Sequence, residues 1–166
     1  MIKTKNILID GFNLIYKFPH LEEMMYEKNL IGAMHGLVDL IAEYSVKAKK
    51  KPVIIFDGKR KEGDNTEKEK VKGVQLIYSH DLSADYLIMQ SIKYDKQPKM
   101  TTVITSDKAI IGYLRKFGTP VVKSEDFAPL VTKVLDETEK AEEKPSDVSL
   151  SEEELSFWEK LFSSRK

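Results

Sequence analysis

Cysteine is absent from the 166-residue chain. That excludes disulfides, thiolate nucleophiles and metal sites built on sulfur. Any bound metal is left to oxygen ligands or to three histidines, and His20, His35 and His80 show no metal-binding spacing. No apolar run approaches the roughly 18–20 residues of a membrane span. The first apolar stretch, Ile7 to Ile9, is too short for a signal peptide. A cytoplasmic protein with no membrane attachment is therefore expected. Also missing are a nucleophile elbow, a phosphate-cradling glycine loop and the glycine fingerprint of dinucleotide enzymes. Net charge is missing too, since 27 Lys and Arg balance 27 Asp and Glu.

What remains describes a globular chain. The apolar fraction of 41% is enough to bury a core, and the charged fraction of 33% solvates the surface. Together they exclude a mostly disordered chain and a fibrous repeat. The length fits one domain with an appendage, and a monomer is the default. The zero net charge hides an asymmetry: residues 136–166 hold 5 basic and 10 acidic side chains, which leaves the body about as positive as the tail is negative. A basic body permits an anionic partner such as nucleic acid.

Short apolar runs that stop at turn signals predict buried strands at Lys5–Asp10, Pro52–Phe56, Val74–Tyr78, Thr101–Thr105 and Pro120–Val122. Three-to-four spacing of apolar residues predicts helices at Leu30–Lys47, at Ala84–Tyr94 behind a Ser83 cap, and at Lys108–Phe117. Another helix opens at Ser124 and fades after Leu135. The charged stretch Lys59–Lys72 reads as a loop or a mobile helix. Alternating strands and helices predict an α/β domain over 1–135, with a mostly parallel sheet of about five strands covered on both faces. A charged linker over 136–150 and an amphipathic helix over 151–166 follow. In that helix Leu155, Trp158, Leu161 and Phe162 share a face, which either docks on the domain or anchors a protein or ribosomal partner.

The chemistry sits at the strand ends. Open parallel sheets bind ligands outside the carboxyl ends of their strands. Asp10 ends the first strand, with Asn13 one turn on. Asp57 ends the second, Thr105-Ser106-Asp107 closes the fourth, and Asp85 lies in the first turn of a helix. Each acid alone has an ordinary reading as a turn residue, a cap or a dipole partner. Four on one edge of one sheet are harder to place by accident. Like charges that converge repel, and a divalent cation is the usual remedy. Oxygen-only ligands suit Mg²⁺ or Mn²⁺, and such an ion at a strand rim suits phosphoryl chemistry.

The string from Ile7 to Tyr16 (Ile-Leu-Ile-Asp-Gly-Phe-Asn-Leu-Ile-Tyr) resembles the opening of NYN domains, a branch of the PIN-like nucleases. Phe56-Asp57-Gly58, Ala84-Asp85 and Thr105-Ser106-Asp107 match the later family motifs in order. The match is nearest to the YacP-like subgroup and covers about residues 5–127. It implies a PIN-like three-layer sandwich and a metal-dependent endoribonuclease. It further implies Asp10, Asp85 and Asp107 as metal-binding carboxylates, Asp57 as a fourth, outer acid, and Asn13 orienting a carboxylate or contacting phosphate. Ser106 would support the site by hydrogen bonding. Met34 departs from the pattern, because family members tend to carry an arginine early in the first long helix.

Lys59, Arg60 and Lys61 follow Asp57 directly and are candidates for RNA contact, with Lys17, Lys108 and the Lys68, Lys70, Lys72 series. Phe12, Tyr16 and Tyr78 either stack on unpaired bases or pack in the core. Two other classes compete with the nuclease. One is a non-catalytic RNA-binding or ribonucleoprotein adaptor on the same fold. The other is a phosphatase or phosphoacceptor domain. The second is disfavoured by Phe12 where the haloacid-dehalogenase pattern needs an acid, and by Asp10-Gly11 where a receiver domain has adjacent acids.

Overall fold

The computed structural model describes residues 2–58 and 67–143. The chain divides into two units, Met1–Leu135 and Asp136–Lys166, and the fold below is that of the first. Six strands form one sheet: β1 (Asn6–Asp10), β2 (Lys51–Phe56), β3 (Glu67–Val71), β4 (Val74–Tyr78), β5 (Thr101–Ile104) and β6 (Val121–Val122). Their order is β3-β4-β2-β1-β5-β6. All neighbours are parallel except β3 and β4, which pair antiparallel. The helices are α1 (Gly11–Ile15), α2 (Pro19–Tyr26), α3 (Leu30–Ala48), α4 (Ala84–Lys93), α5 (Lys108–Leu114) and α6 (Ser124–Glu143).

Strand alternation sorts the core into two layers. Ile7 and Ile9 of β1, with Ile54 and Phe56 of β2, face Leu37 and Ile41 of α3 and Phe127 of α6. Leu8 and Ile55 face the other way, against Ile88 of α4 and Ile110 of α5. Successive strand residues point to opposite faces, so this pattern of near-continuous apolar strands requires helices on both sides. The result is a three-layer α/β fold, as expected.

Four differences from the sequence reading have local causes. The sheet has six strands, because Glu67–Val71 is a strand and not a loop. It pairs with β4 through a turn at Lys72 and Gly73, with φ of 52° and 82°. Helices α1 and α2 were not expected. The first is a single turn, and the second starts with Pro19, whose fixed φ suits a first helical position. The helix expected over Lys108–Phe117 gives way to a 3₁₀ turn at Arg115–Phe117 before the left-handed Gly118. Finally, α6 does not fade after Leu135 but runs to Glu143. Glu, Lys and Ala are strong helix formers even without an apolar stripe. The first part of the expected linker is thus helical. Residues 144–166, including the helix expected at 151–166, lie outside the described residues. Among the described residues no helix is long and apolar enough to cross a membrane.

The chain winds from β1 to β2 and β4 on one side, then returns to β5 and β6 on the other. The switch point of the sheet therefore lies between β1 and β5, where open α/β sheets form their crevice. Gly11 sets how closely the chain turns there. A Cβ on it would lie 2.6 Å from the Phe56 ring and 2.9 Å from the Ile55 carbonyl oxygen. Gly11→Ala is expected to cost about 1–3 kcal/mol through overpacking. The check is a lower urea midpoint at unchanged slope.

Candidate active site at the strand rim

Asp10 is the last residue of β1 and is only 8% exposed. Its Oδ2 accepts a hydrogen bond of 3.0 Å from the Thr105 hydroxyl, which follows β5 across the switch point. The same Thr105 oxygen accepts from the Asp107 backbone N–H at 3.2 Å. Asp107 then caps α5, with Oδ1 accepting from the Ala109 and Ile110 backbone N–H groups. One carboxylate oxygen closes the helix and the other is left to the rim.

Asn13, in α1, ties the crevice walls together. Its Oδ1 accepts from the Ser106 backbone N–H at 2.9 Å and from the Ser124 hydroxyl at 2.6 Å. The Ser106 hydroxyl donates to Glu125 Oε2 at 2.9 Å, and Lys17 Nζ lies 3.9 Å from that same oxygen. Lys17 thus stands beside the rim, and Lys108 is exposed at the start of α5. Asp57 accepts from the Ser79 hydroxyl at 3.0 Å and from the Ala84 backbone N–H at 3.3 Å, which anchors the start of α4 and so places Asp85. The expected Ser83 cap is present, accepting from the Tyr86 backbone N–H.

Residues 7–163 match the family model of the YacP-like NYN domain. The chain belongs to that family. Among solved structures it is similar to two of Rae1 (YacP) from Bacillus subtilis. A point variant of that protein is 21% identical, with 92% of this chain and 91% of that one covered and a TM-score of 0.69. The other structure is 20% identical, with 96% and 91% covered and a TM-score of 0.65. At such identity these neighbours attest the fold. No curated protein matches the chain. NYN domains are a branch of the PIN-like nucleases, so the family points to a ribonuclease role and RNA as the substrate class.

The electrostatics of this NYN rim follow from its geometry. Burial pushes Asp10 up to about 6 from 3.8, against the Thr105 hydrogen bond, and repulsion from Asp85, Asp107 and Asp57 adds to the rise. Asp85 is raised by partial burial, by the charges of Asp107 and Asp57, and by a hydrogen bond with the Asp107 carboxyl. The four acids therefore feel one another across three strand ends. Among the described residues no lysine or arginine forms an ion pair with any of them. Nor do three acids or histidines of the described residues already form a metal-binding group. The donor set is nevertheless all oxygen, partly desolvated and, among the described residues, without a paired cation, which fits a hard divalent ion.

Other expected residues fall elsewhere. Lys59, Arg60 and Lys61 lie outside the described residues. Lys72 sits at the far end of β4 from the rim, in a 2.6 Å ion pair with Asp39, and so is not a rim cation. Phe12 and Tyr78 pack on Phe56, with centroids 5.3 and 6.0 Å apart, which is the core alternative for both. Tyr16 is 41% exposed. Met34 is half-buried against the α3-side core. Sequence reasoning missed the bridging role of Thr105 and the parts played by Ser79, Ser124 and Glu125. For Thr105 the available signal was its place in the Thr105-Ser106-Asp107 string.

A folded-state pKa above the unfolded value means that the folded protein binds more protons between about pH 4 and 6. The contribution of Asp10 to the stability of the metal-free protein is therefore fullest below that window and is lost as pH rises through it. The difference is worth roughly 3 kcal/mol. Asp10→Asn is expected to melt higher than wild type at pH 7.5 in EDTA, and level with it near pH 3.5. Paired thermal melts across pH check this.

Proposed function

We propose that the chain is a metal-dependent endoribonuclease that hydrolyses phosphodiester bonds of single-stranded or locally opened RNA at the strand rim. The observation that carries this reading is the meeting of Asp10, Asp85 and Asp107 at the switch point of an NYN fold, without basic neutralisation among the described residues. Those three carboxylates would hold Mg²⁺ or Mn²⁺, with Asp57 as the outer acid. Such an ion supplies a water of lowered pKa and stabilises charge developing on the phosphate.

The chain's own residues do the rest. Thr105 holds Asp10 through its hydroxyl, and Asn13 holds the Ser106 backbone that precedes Asp107. Ser106 supports the site through its bond to Glu125. Lys17 and Lys108 stand where backbone phosphates would pass, and Lys59, Arg60 and Lys61 extend that contact by their position after Asp57. Contacts of this type give affinity without sequence preference. A cytoplasmic location goes with this reading, as does a protein or ribosomal partner engaged by residues 151–166.

Incubation with a labelled RNA of mixed structure is expected to give cleavage with Mn²⁺ or Mg²⁺ and none in EDTA. Asp10→Asn and Asp107→Asn are expected to lower the rate by roughly 100-fold or more. Asparagine preserves the α5 cap, so the second loss is not unfolding. Full activity in either variant sinks the assigned site. RNA binding that survives both substitutions and EDTA, with no cleavage, establishes the adaptor instead. Lys17→Ala is expected to raise KM at nearly constant kcat and to reduce the slope of log affinity against log salt by about 1.

A further inference from the structure

The ends of β2 and β4 stay bonded after the strands themselves have stopped. Phe56 and Tyr78 are their last pair in register. One residue on, the Ser79 backbone N–H donates to the Phe56 carbonyl at 3.0 Å, as a parallel ladder continued through Asp57 and Ser79 requires. The next bond of such a ladder would run from the Gly58 N–H to the Ser79 carbonyl. It runs instead to the Ser79 hydroxyl, at 2.9 Å. The carbonyl is thereby released to accept from the Leu82 N–H at 3.0 Å. The chain leaves the sheet through His80, which is buried in the left-handed region with φ of 54° and donates its N–H to the Gly58 carbonyl at 2.9 Å. A non-glycine residue persists in that region only where its surroundings hold it there, and such positions gather at functional sites.

Ser79 is fully buried, and its hydroxyl joins two loops. It accepts from Gly58 and donates to Asp57 Oδ1 at 3.0 Å. That Oδ1 also accepts from the backbone N–H of Ala84, the first residue of α4, and Asp85 comes next. Ile88 and Ile92 hold the inner face of α4 on the core, but apolar contact is non-directional. The height of the first turn therefore rests on the polar bonds at its end. Asp85 in turn meets the carboxyl of Asp107, which Thr105 and the α5 cap hold from the other side of the crevice.

We infer that Ser79 is a positioning residue of the rim: its hydroxyl, acting through Asp57, sets the first turn of α4 and with it the separation of Asp85 from Asp107. The inference rests on the metal-dependent nuclease reading above. The gap between two carboxylates decides whether both reach one ion, and groups that orient metal ligands typically matter by 10–100-fold in affinity or activity.

Ser79→Ala removes the hydroxyl and little else. Mn²⁺ binding is read by electron paramagnetic resonance on the full chain without RNA, and kcat and KM on a short labelled RNA. Mn²⁺ affinity and kcat are each expected to fall about tenfold, at nearly constant KM. Hydrogen exchange in EDTA is expected to quicken at the Gly58 and Ala84 amides and to stay unchanged in α5. Ser79→Thr restores the hydroxyl and is expected to recover both Mn²⁺ binding and kcat. Since threonine adds a buried methyl group, a second comparison covers its failure to fold. Ser79→Ala with Asp57→Ala is expected to weaken Mn²⁺ binding no more than Asp57→Ala alone, because both act through one bond. Additive losses overturn the inference. So does a Ser79→Ala chain that melts lower yet keeps its Mn²⁺ affinity and kcat, in which case the nuclease reading stands without it. If the wild-type chain neither binds Mn²⁺ nor cuts RNA, both readings fall.

Discussion

A single desolvated carboxyl group organises this protein. Asp10 sits at the switch point of a parallel sheet, almost removed from water, with three further acids acting on it. The folded chain answers this with hydroxyl and amide hydrogen bonds and, among the described residues, with no cation. Thr105 is central, because one oxygen donates to Asp10 and accepts from the Asp107 backbone. Asn13 repeats the device on the other wall, where one carbonyl oxygen holds both the loop before α5 and the start of α6. Such bonds hold the acids in place without adding a positive charge of their own. The repulsion that reaches Asp10 from its three neighbours is the property a divalent ion would exploit.

Much of the fold was legible because buried parallel strands leave a strong signal. Runs such as Ile7-Leu8-Ile9 and Val53-Ile54-Ile55 need cover on both faces, and the turn dipeptides behind them mark the ends. The helices α3, α4 and α5 show an apolar stripe and, for α4, a visible cap. Strand β3 was hidden because Glu-Lys-Glu-Lys-Val has no apolar alternation, and its state is set by its partner β4. Helices α1 and α2 were hidden for a different reason. A five-residue turn carries too little periodicity to register, and its conformation is imposed by Leu14 and Ile15 reaching the core.

The acids of the site were legible because strand ends can be located from sequence, and because the topology rule says that strand ends meet. Their supporting groups were not. Thr105 and Asp10 are 95 positions apart, and Ser124 and Asn13 are 111 apart. Nothing local in the chain announces such pairs. The same applies to Glu125, whose carboxylate draws Ser106 and Lys17 to the rim although it sits outside every motif. Long-range polar partnerships emerge only when strand order is known, and the order β1-β5 across the switch point is what creates them.

Asp107 has an evolutionary consequence. One of its carboxylate oxygens terminates α5 while the residue also faces the cluster. Two selective pressures therefore fall on one codon. Drift to alanine removes a helix stop and a charge at once, whereas drift to asparagine or serine keeps the stop and sheds the charge. Descendants that abandon the chemistry but keep the fold would accumulate asparagine or serine here ahead of apolar residues. The identity of this one side chain across relatives would then separate lineages that still depend on the rim from those that retain only the scaffold.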